Sequence, residues 1–147
     1  MMQIVIKTFQ ELTTTELYDL LQLRSEVFVV EQDCVYQDVD GKDNKALHIL
    51  GYKNNVLIGY SRLFKAGNYF SEASIGRVII KASERKFGYG HDLIRKSIDV
   101  IETQFKTKEI HISAQTYLQK FYESHDFVQV GEGYLEDDIP HIKMVKR

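Results

Sequence analysis

One stretch decides the fold of this chain: Val78-Ile79-Ile80-Lys81-Ala82-Ser83-Glu84-Arg85-Lys86-Phe87-Gly88-Tyr89-Gly90, residues 78–90. Its apolar, β-branched start predicts the end of a strand that we expect to span residues 73–80. After Gly90, a set of residues recurs on one helical face and predicts a long helix from Gly90 to about Phe105. The stretch is therefore a strand–turn–helix unit.

The turn of this unit has the chemistry of an anion-binding site. Gly88 and Gly90 let the backbone turn tightly and approach a ligand closely. The start of the following helix directs free N–H groups and the positive end of its dipole to the same place. Arg85 and Lys86 add full positive charges, so we interpret the turn as a pyrophosphate-binding site. The alternative is a glycine-bearing turn that only connects a strand to a helix.

The rest of the sequence predicts elements in the order β-α-βββ-α-β-α-ββ. The first helix starts with a capping box, Thr13 and Glu16, and its apolar spacing extends from Thr14 to about Phe28. Asn54-Asn55 is a hairpin turn signal. The other predicted elements are strands at residues 3–9, 48–52, 56–63, 110–114, 127–130 and 139–145, and a short helix that ends near residue 125. This pattern predicts an α/β fold of the layered α+β type, with one mixed sheet flanked by helices in a single domain, residues 1–147.

Residues 29–46 follow no single period and are predicted to form a loop. A loop of this length inside a compact domain is more often functional than not. Its acidic residues favour a cationic ligand if they line a cleft, and they form an ordinary solvated surface if they do not; they are Glu31, Asp38, Asp40 and Asp43.

Composition limits the possible functions. The chain has 147 residues, 44% of them hydrophobic, which is enough for one domain with its own core. With 19 Lys and Arg against 21 Asp and Glu, the formal net charge is −2, so the basic excess of a dedicated nucleic-acid binder is missing. No apolar run is long enough to span a membrane. The single Cys34 and the scattered His residues show neither a disulfide framework nor metal-ligand spacing, so we expect a cytoplasmic protein without a metal site.

The strand–turn–helix unit resembles the acetyl-CoA-binding motif of the GNAT acyltransferases, a strand followed by Arg-x-x-Gly-x-Gly and a helix. Downstream, residues 121–127 (Phe-Tyr-Glu-Ser-His-Asp-Phe) are similar to the family's Phe-Tyr-Glu-x-x-Gly-Phe signature. Asp126 replaces the usual glycine, and we expect it to keep the left-handed backbone of that turn. Further segments resemble the ElaA-like branch of the family: Leu23–Gln32, Tyr36–Asp40, Ile75–Val78 and Ile139–Ile142.

The resemblance implies a splayed sheet that admits acetyl-CoA, the acyl donor, where the Val78 strand and the Ser113 strand part. It implies that backbone groups of Val78 and Ile80 bind the pantetheine arm, and that Gln115 is a further cofactor contact. It also implies that the turn binds the pyrophosphate. The contacts would be the charge of Arg85 and the backbone N–H groups of Lys86, Phe87, Gly88, Tyr89, Gly90 and His91.

Two residues are candidates for the chemical step that the resemblance implies. Tyr122, as a general acid, would protonate the departing thiolate; the alternative is half of an aromatic core pair with Phe121. The residues eligible by type as a general base are Glu26, Glu31, Asp38, His48, His111 and His141. Glu31, in the long loop, is the candidate chosen, and a solvated carboxylate is the alternative. Cys34 is judged structural or incidental, because its acidic neighbour Asp33 does not favour a thiolate.

The acceptor side is assigned to Arg24, Arg77 and Gln32. An arginine on the apolar face of the first helix and another in an apolar strand must be paired or aimed into a cleft. The alternative is a buried ion pair that shapes the long loop.

These expectations favour an acetyl-CoA-dependent N-acyltransferase that works by direct transfer to an amine in a ternary complex. A different class is a non-catalytic CoA-binding or sensor domain of the same fold, and a third is an interaction module with an acidic loop. The amine acceptor is not identified by the sequence. Both a monomer and a homodimer are compatible with it, and neither nucleic acid nor a membrane is expected as a partner.

Overall fold

The structure, a computed structural model, describes residues 1–147 and contains one eight-stranded β-sheet with helices packed against it. The strands are β1 (Gln3–Thr8), β2 (Leu47–Lys53), β3 (Val56–Phe64), β4 (Ala73–Ile80), β5 (Ile110–Gln115), β6 (Val128–Gln129), β7 (Tyr134–Glu136) and β8 (Ile139–Lys146). The helices are α1 (Thr14–Arg24), α2 (Tyr89–Val100) and α3 (Gln119–Glu123), with 3₁₀ turns at Asp43–Lys45, Ala82–Phe87 and Thr116–Leu118. The predicted mixed α/β sheet is confirmed. No helix is long and apolar enough to cross a membrane.

Both long helices change pitch at their carboxyl ends. α1 begins at the predicted capping box, in which Thr13 and Glu16 satisfy each other's backbone N–H groups. It does not end near residue 28 as predicted, because the chain continues as a π-helix over Ser25–Glu31. α2 continues in the same way over Ile101–Phe105. Two residues of the first π-helical segment, Val27 and Phe28, line a cleft described below.

The strand order is β1-β2-β3-β4-β5-β8-β6, with β7 also paired to β8. All neighbours are antiparallel except β4 and β5. The predicted hairpin turn at Asn54-Asn55 has φ angles of 51° and 64°, the left-handed conformation that a two-residue hairpin needs. The sequence did not predict β7, which pairs with β8 across a second two-residue turn, Asp137-Asp138.

The central strand β4 has a bulge on the side that pairs with β3, and it separates from β5 on its other side. Tyr60 pairs with Ile79 and Arg62 pairs with Gly76, so two residues of β4 oppose one residue of β3. Arg77, in the bulge, has a φ of 48°, which is unusual for a residue with a side chain. On the other side, β4 pairs with β5 only at residues 73–74, and the two strands diverge beyond that point.

Two apolar clusters stabilise opposite faces of the sheet. Ile49 belongs to the larger cluster, with α2, and its neighbour Leu50 belongs to the smaller one, with α1. Since successive side chains of a strand point to opposite faces, α1 and α2 cover the two sides of the sheet.

A buried network of arginines and aspartates fixes the long loop to the sheet. Arg24, completely buried, donates to Asp38 at 2.8 Å and to Asp43 at 2.6 Å. Arg62, on β3, donates to the same Asp43 at 2.9 Å and to Asp40 at 2.7 and 2.9 Å. Burial alone would raise the pKa of Asp40, but the bonds from Arg62 outweigh it and lower the pKa to about 2. The acidic residues of this loop are therefore neutralised from within the protein.

We expect Arg24→Leu to destabilise the fold strongly, because it removes one of the two arginine partners from each of two buried carboxylates, Asp38 and Asp43. Breaking a buried pair from one side costs about 3–5 kcal/mol, so the free energy of unfolding in urea should fall by that order. Arg95→Leu is the matched control, because its partner Asp92 and Arg95 itself are both more than half exposed. Exposed pairs contribute about 0–1 kcal/mol. Equal losses in the two variants would contradict a structural role for the network.

Candidate active site

A cleft of ≈ 350 Å³ opens where β4 and β5 separate. Its floor is formed by Val78, Ile79 and Ile80 of β4, and Gln115 at the end of β5 closes one side. The π-helical end of α1 lies over it, and the start of α2 and the α3 region form its walls. The residues that sequence reasoning did not assign to this cleft are apolar or aromatic: Val27, Phe28, Ile79, Tyr117, Leu118 and Phe121.

The glycine turn lies at one end of this cleft. Gly88 has a φ of 75° and open space where a Cβ would project, so a glycine is needed there for the backbone conformation. Gly90 has no such need, because an added Cβ would meet the Phe121 ring at an ordinary 3.5 Å. Both glycines and His91 line the cleft, while the backbone N–H of His91 donates to the Gly88 carbonyl at 3.1 Å. The helix that follows has twelve residues, so its first turn offers N–H groups without partners inside the helix.

Part of the positive charge of the turn is neutralised by a carboxylate of the protein, because Arg85 pairs with Glu31. Arg85 lines the cleft, donates to the Ile80 carbonyl at 2.9 Å and forms a bidentate pair with Glu31 at 2.5 and 2.8 Å. The side chains of the other three predicted turn contacts lie outside the cleft lining: the Lys86 ammonium lies 5.3 Å from the ring of Phe87, Phe87 is half exposed, and Tyr89 is buried in the core.

Glu31 does not meet the requirements of a base at the site. Both of its carboxylate oxygens accept hydrogen bonds from Arg85, and the residue does not line the cleft. The salt bridge between Glu31 and Arg85 connects the long loop to the glycine turn. This position does not support the expectation that Glu31 accepts a proton during the reaction.

Tyr122 lies at the other end of the cleft, on α3. Its ring packs edge-on against Phe121 and Phe127, as the core interpretation requires. Its hydroxyl makes no hydrogen bond to another side chain or to the backbone, and Tyr122 lines both the cleft and the chamber beyond it. Burial raises the pKa of Tyr122, so the phenol stays protonated at neutral pH. A protonated hydroxyl facing a cleft is suited to donating a proton.

Gln32 and Gln115 join the two walls of the cleft. Each side-chain amide donates to the other, with N–O distances of 2.9 and 3.2 Å. Both residues line the cleft and the next chamber, so this amide pair marks the junction between them. Asp126, which follows α3, has the expected left-handed backbone, with a φ of 71°.

Beyond Tyr122 the cleft continues into a smaller chamber of ≈ 90 Å³. Arg77 lines this chamber, and its guanidinium donates to the side chain and backbone of Asp38 at 2.7 and 3.0 Å. The chamber also contains polar residues that the sequence analysis did not assign to the site, namely Ser113, Glu136 and His141. The signal for them was the pair Asp137-Asp138 ahead of a strand, which is typical of a hairpin turn and places Glu136 beside that strand.

Arg24 does not reach either cavity. Its side chain has no exposed surface, and its guanidinium is bound by Asp38 and Asp43. The assignment of Arg24 to the acceptor is therefore corrected in favour of the alternative, a buried ion pair that shapes the loop.

One group of residues outside the cleft has side chains of the kind that ligate metals. Glu72, Glu109 and His111 have ligand atoms within 4.8 Å of one another. The His111 ring lies between the carboxylates, with Nε2 2.9 Å from Glu109 and Nδ1 3.2 Å from Glu72. Both carboxylates contact the imidazole directly, and we assign no metal to this group.

Comparisons with known proteins agree with this geometry. A family model described as "Acetyltransferase (GNAT) domain" matches residues 10–147. The protein ElaA of Escherichia coli is 44% identical over 138 residues, which cover 92% of this chain and 90% of that protein. Its crystal structure superposes with a TM-score of 0.93 over the whole of both chains, at 40% identity. A crystal structure described as an acyl-CoA N-acyltransferase from Pseudomonas aeruginosa gives a TM-score of 0.94, also at 40% identity and over the whole of both chains.

Proposed function

The chain belongs to the GNAT family of acetyltransferases, and from this membership we propose that it transfers an acetyl group from acetyl-CoA to an amine. The transfer is direct: the amine attacks the thioester while both substrates are bound. The observation that carries the proposal is the single continuous cleft, which has an anion-binding turn at one end and a buried, protonated phenol at the other.

The cleft suits the chemistry of coenzyme A along its length. The pyrophosphate would bind at the Gly88 turn, against the N–H groups at the start of α2 and beside Arg85. The pantetheine arm would run along β4, with backbone groups of Val78 and Ile80 as partners, because β5 does not pair with this part of the strand. Gln115 lies where the arm would pass from the cleft into the chamber.

We expect Gly88→Val to weaken CoA binding by about 10- to 100-fold, because the added bulk fills open space at the turn and removes one or two charge-assisted hydrogen bonds. The measurement is calorimetric titration of CoA. Gly131→Val is the matched control: Gly131 has a φ of 81° and open space around it, but it lies in the β6–β7 loop and lines neither cavity. Both variants carry the same backbone strain, so an equal affinity in the two would contradict the pyrophosphate position.

Tyr122 is proposed as the general acid. When the C–S bond breaks, the phenol donates its proton to the thiolate, which is the part of this transfer that most needs a proton donor. The competing interpretation is that Tyr122 only fills the core between Phe121 and Phe127. The two interpretations differ in what the hydroxyl does.

Tyr122→Phe keeps the ring and removes the donated proton, so kcat at saturating acetyl-CoA should fall by about 100- to 10,000-fold with little change in CoA affinity. Tyr52→Phe serves as the control, because Tyr52 packs in the smaller apolar cluster on the α1 face and does not line the cleft. If kcat of Tyr122→Phe equals that of Tyr52→Phe, the tyrosine belongs to the core alone.

Arg77 and Gln32 are proposed to shape the acceptor side of the site. Arg77 lines the chamber beyond Tyr122 and a further pocket outside it, and Gln32 closes the junction. We expect Arg77→Ala to raise KM for the amine by roughly tenfold while leaving CoA affinity within about twofold, because the bulge that carries it lies on the acceptor side of Val78. A change confined to CoA affinity would assign Arg77 to the donor side.

A non-catalytic CoA-binding domain is the competing function. It is favoured by the loss of Glu31 as a base, since that carboxylate is held by Arg85. Release of free thiol from acetyl-CoA in the presence of a panel of amines separates the two functions. A protein that binds CoA and releases no thiol with any amine would be a binding domain.

A further inference from the structure

Three of the polar side chains that line the chamber beyond Tyr122 are Ser113, Glu136 and His141, and Tyr134 contacts Ser113 and His141 from outside its lining. Ser113 of β5 lies 2.5 Å from the hydroxyl of Tyr134 and donates to Glu136 at 3.1 Å, both residues being on β7. His141 of β8 lies with Nε2 3.5 Å from Oε2 of Glu136, and its ring stacks on that of Tyr134 with an interplanar angle of 21°. The side chain of His141 is 8% exposed and that of Glu136 is 47% exposed, so the imidazole is buried and the carboxylate is open to solvent.

The hydrogen bonds of His141 determine which of its nitrogens is free. Nδ1 lies 2.7 Å from the carbonyl oxygen of Ile139, and a carbonyl only accepts, so Nδ1 carries the hydrogen. In its neutral form the ring then presents the lone pair of Nε2, which lies 3.5 Å from Oε2 of the Glu136 carboxylate, also an acceptor. Two acceptors that face each other at 3.5 Å lack a donor between them.

The charge around this pair favours a cationic donor. The charged and titratable groups that line the chamber with His141 are Tyr36, Arg77, Tyr122, Glu136 and Asp137. Arg77, the one cation among them, is already paired with Asp38 at 2.7 Å and with Asp40 at 3.5 Å. The carboxylate of Glu136 is bound by no arginine or lysine. A ligand with N–H donors and a positive charge satisfies both facing acceptors.

The lining of a second pocket beside the chamber indicates the chemistry of the rest of that ligand. It shares Ser113, Glu136 and Arg77 with the chamber and is lined on its outer side by Phe64, Tyr69 and Phe70. These aromatic side chains contact one another: the ring centroids of Phe64 and Tyr69 are 5.1 Å apart, and those of Tyr69 and Phe70 are 4.7 Å apart. Such a surface suits a flat apolar group next to the ammonium.

We propose that the acceptor is a protonated primary amine on a flat apolar body, with its ammonium bound by Glu136 and deprotonated by Nε2 of His141. This assignment rests on the proposed acetyl transfer and supplies the base that Glu31 does not provide. Ser113 and Tyr134 act as positioning residues, because they hold the Glu136 carboxylate and the His141 ring.

The protons balance in this scheme. The ammonium R–NH₃⁺ gives one proton to Nε2 of His141, and the free amine then attacks the thioester carbon, forming the C–N bond and breaking the C–S bond. Tyr122 gives its proton to the departing thiolate, and the second proton lost by the nitrogen restores the phenol. His141 releases its proton to solvent, so the products are R–NH–acetyl, CoA thiol and one H⁺.

The test uses the whole chain with acetyl-CoA and 2-phenylethylamine, and follows free thiol. His141→Gln should lower kcat/KM for the amine by about 100- to 10,000-fold at pH 7. The loss in kcat/KM should become smaller as the pH rises toward the pKa of the ammonium, since an aliphatic ammonium loses its proton near pH 10 without a base. His111→Gln, a buried histidine of β5 outside the chamber, is the matched control and should retain the wild-type profile.

Glu136→Gln is the second variant, and because nearly half of the Glu136 side chain is exposed it should fold normally. It should raise KM for 2-phenylethylamine by roughly tenfold or more and leave the calorimetric affinity for CoA unchanged. Ethylamine, which lacks the ring, should be a poorer acceptor than 2-phenylethylamine, and so should phenylalanine, whose carboxylate faces Glu136.

Three outcomes would overturn the proposal. If His141→Gln has the wild-type kcat/KM at pH 7, His141 is not the base. If ethylamine and 2-phenylethylamine react at equal rates, the acceptor needs no apolar body. In both cases the proposed acetyl transfer itself stands. If the wild type binds CoA and releases no thiol with any amine, the proposed function fails and this assignment fails with it.

Discussion

The carboxylate of Asp38 is the contact on which the site depends, because two arginines share it. Its Oδ2 accepts from the buried Arg24 at 2.8 Å and its Oδ1 accepts from Arg77 at 2.7 Å. The first bond ties the long loop to α1, and the second holds the bulged residue of β4 in a backbone conformation that it would otherwise avoid. A bulge bends its strand, and here the bent strand is the one that leaves β5 and opens the cleft. The long loop, the bulge and α1 therefore meet at one buried acid.

Local chemistry was sufficient to predict much of the fold. Three features depend only on neighbouring residues and can therefore be predicted from a short stretch of sequence. They are the capping box at Thr13, the Asn54-Asn55 turn and the glycine at position 88. The split between β4 and β5 is different: it was implied by the resemblance of residues 78–90 to a known motif, and no periodicity would have predicted it.

What sequence reasoning missed depends on partners that are distant in the chain. Arg24 looks the same in sequence whether it faces a ligand or two aspartates, and the aspartates that bind it stand fourteen and nineteen residues away. Glu31 lies in a loop that looks functional, but its partner Arg85 is 54 residues distant. His141 was one of several histidines eligible by type, and its free nitrogen becomes apparent only when Ile139 and Glu136 are seen around it.

The two halves of the cleft differ in how much of the fold they engage. The donor half is built on β4 and α2, whose residues form the central core. The outer half relies on β7, a three-residue strand at the margin of the sheet that pairs only with β8 and exposes Leu135 and Tyr134. Replacement or lengthening of that hairpin would disturb few packed side chains. Sequence changes confined to this short margin would therefore alter the outer chamber and leave the packing of β4 and α2 unchanged.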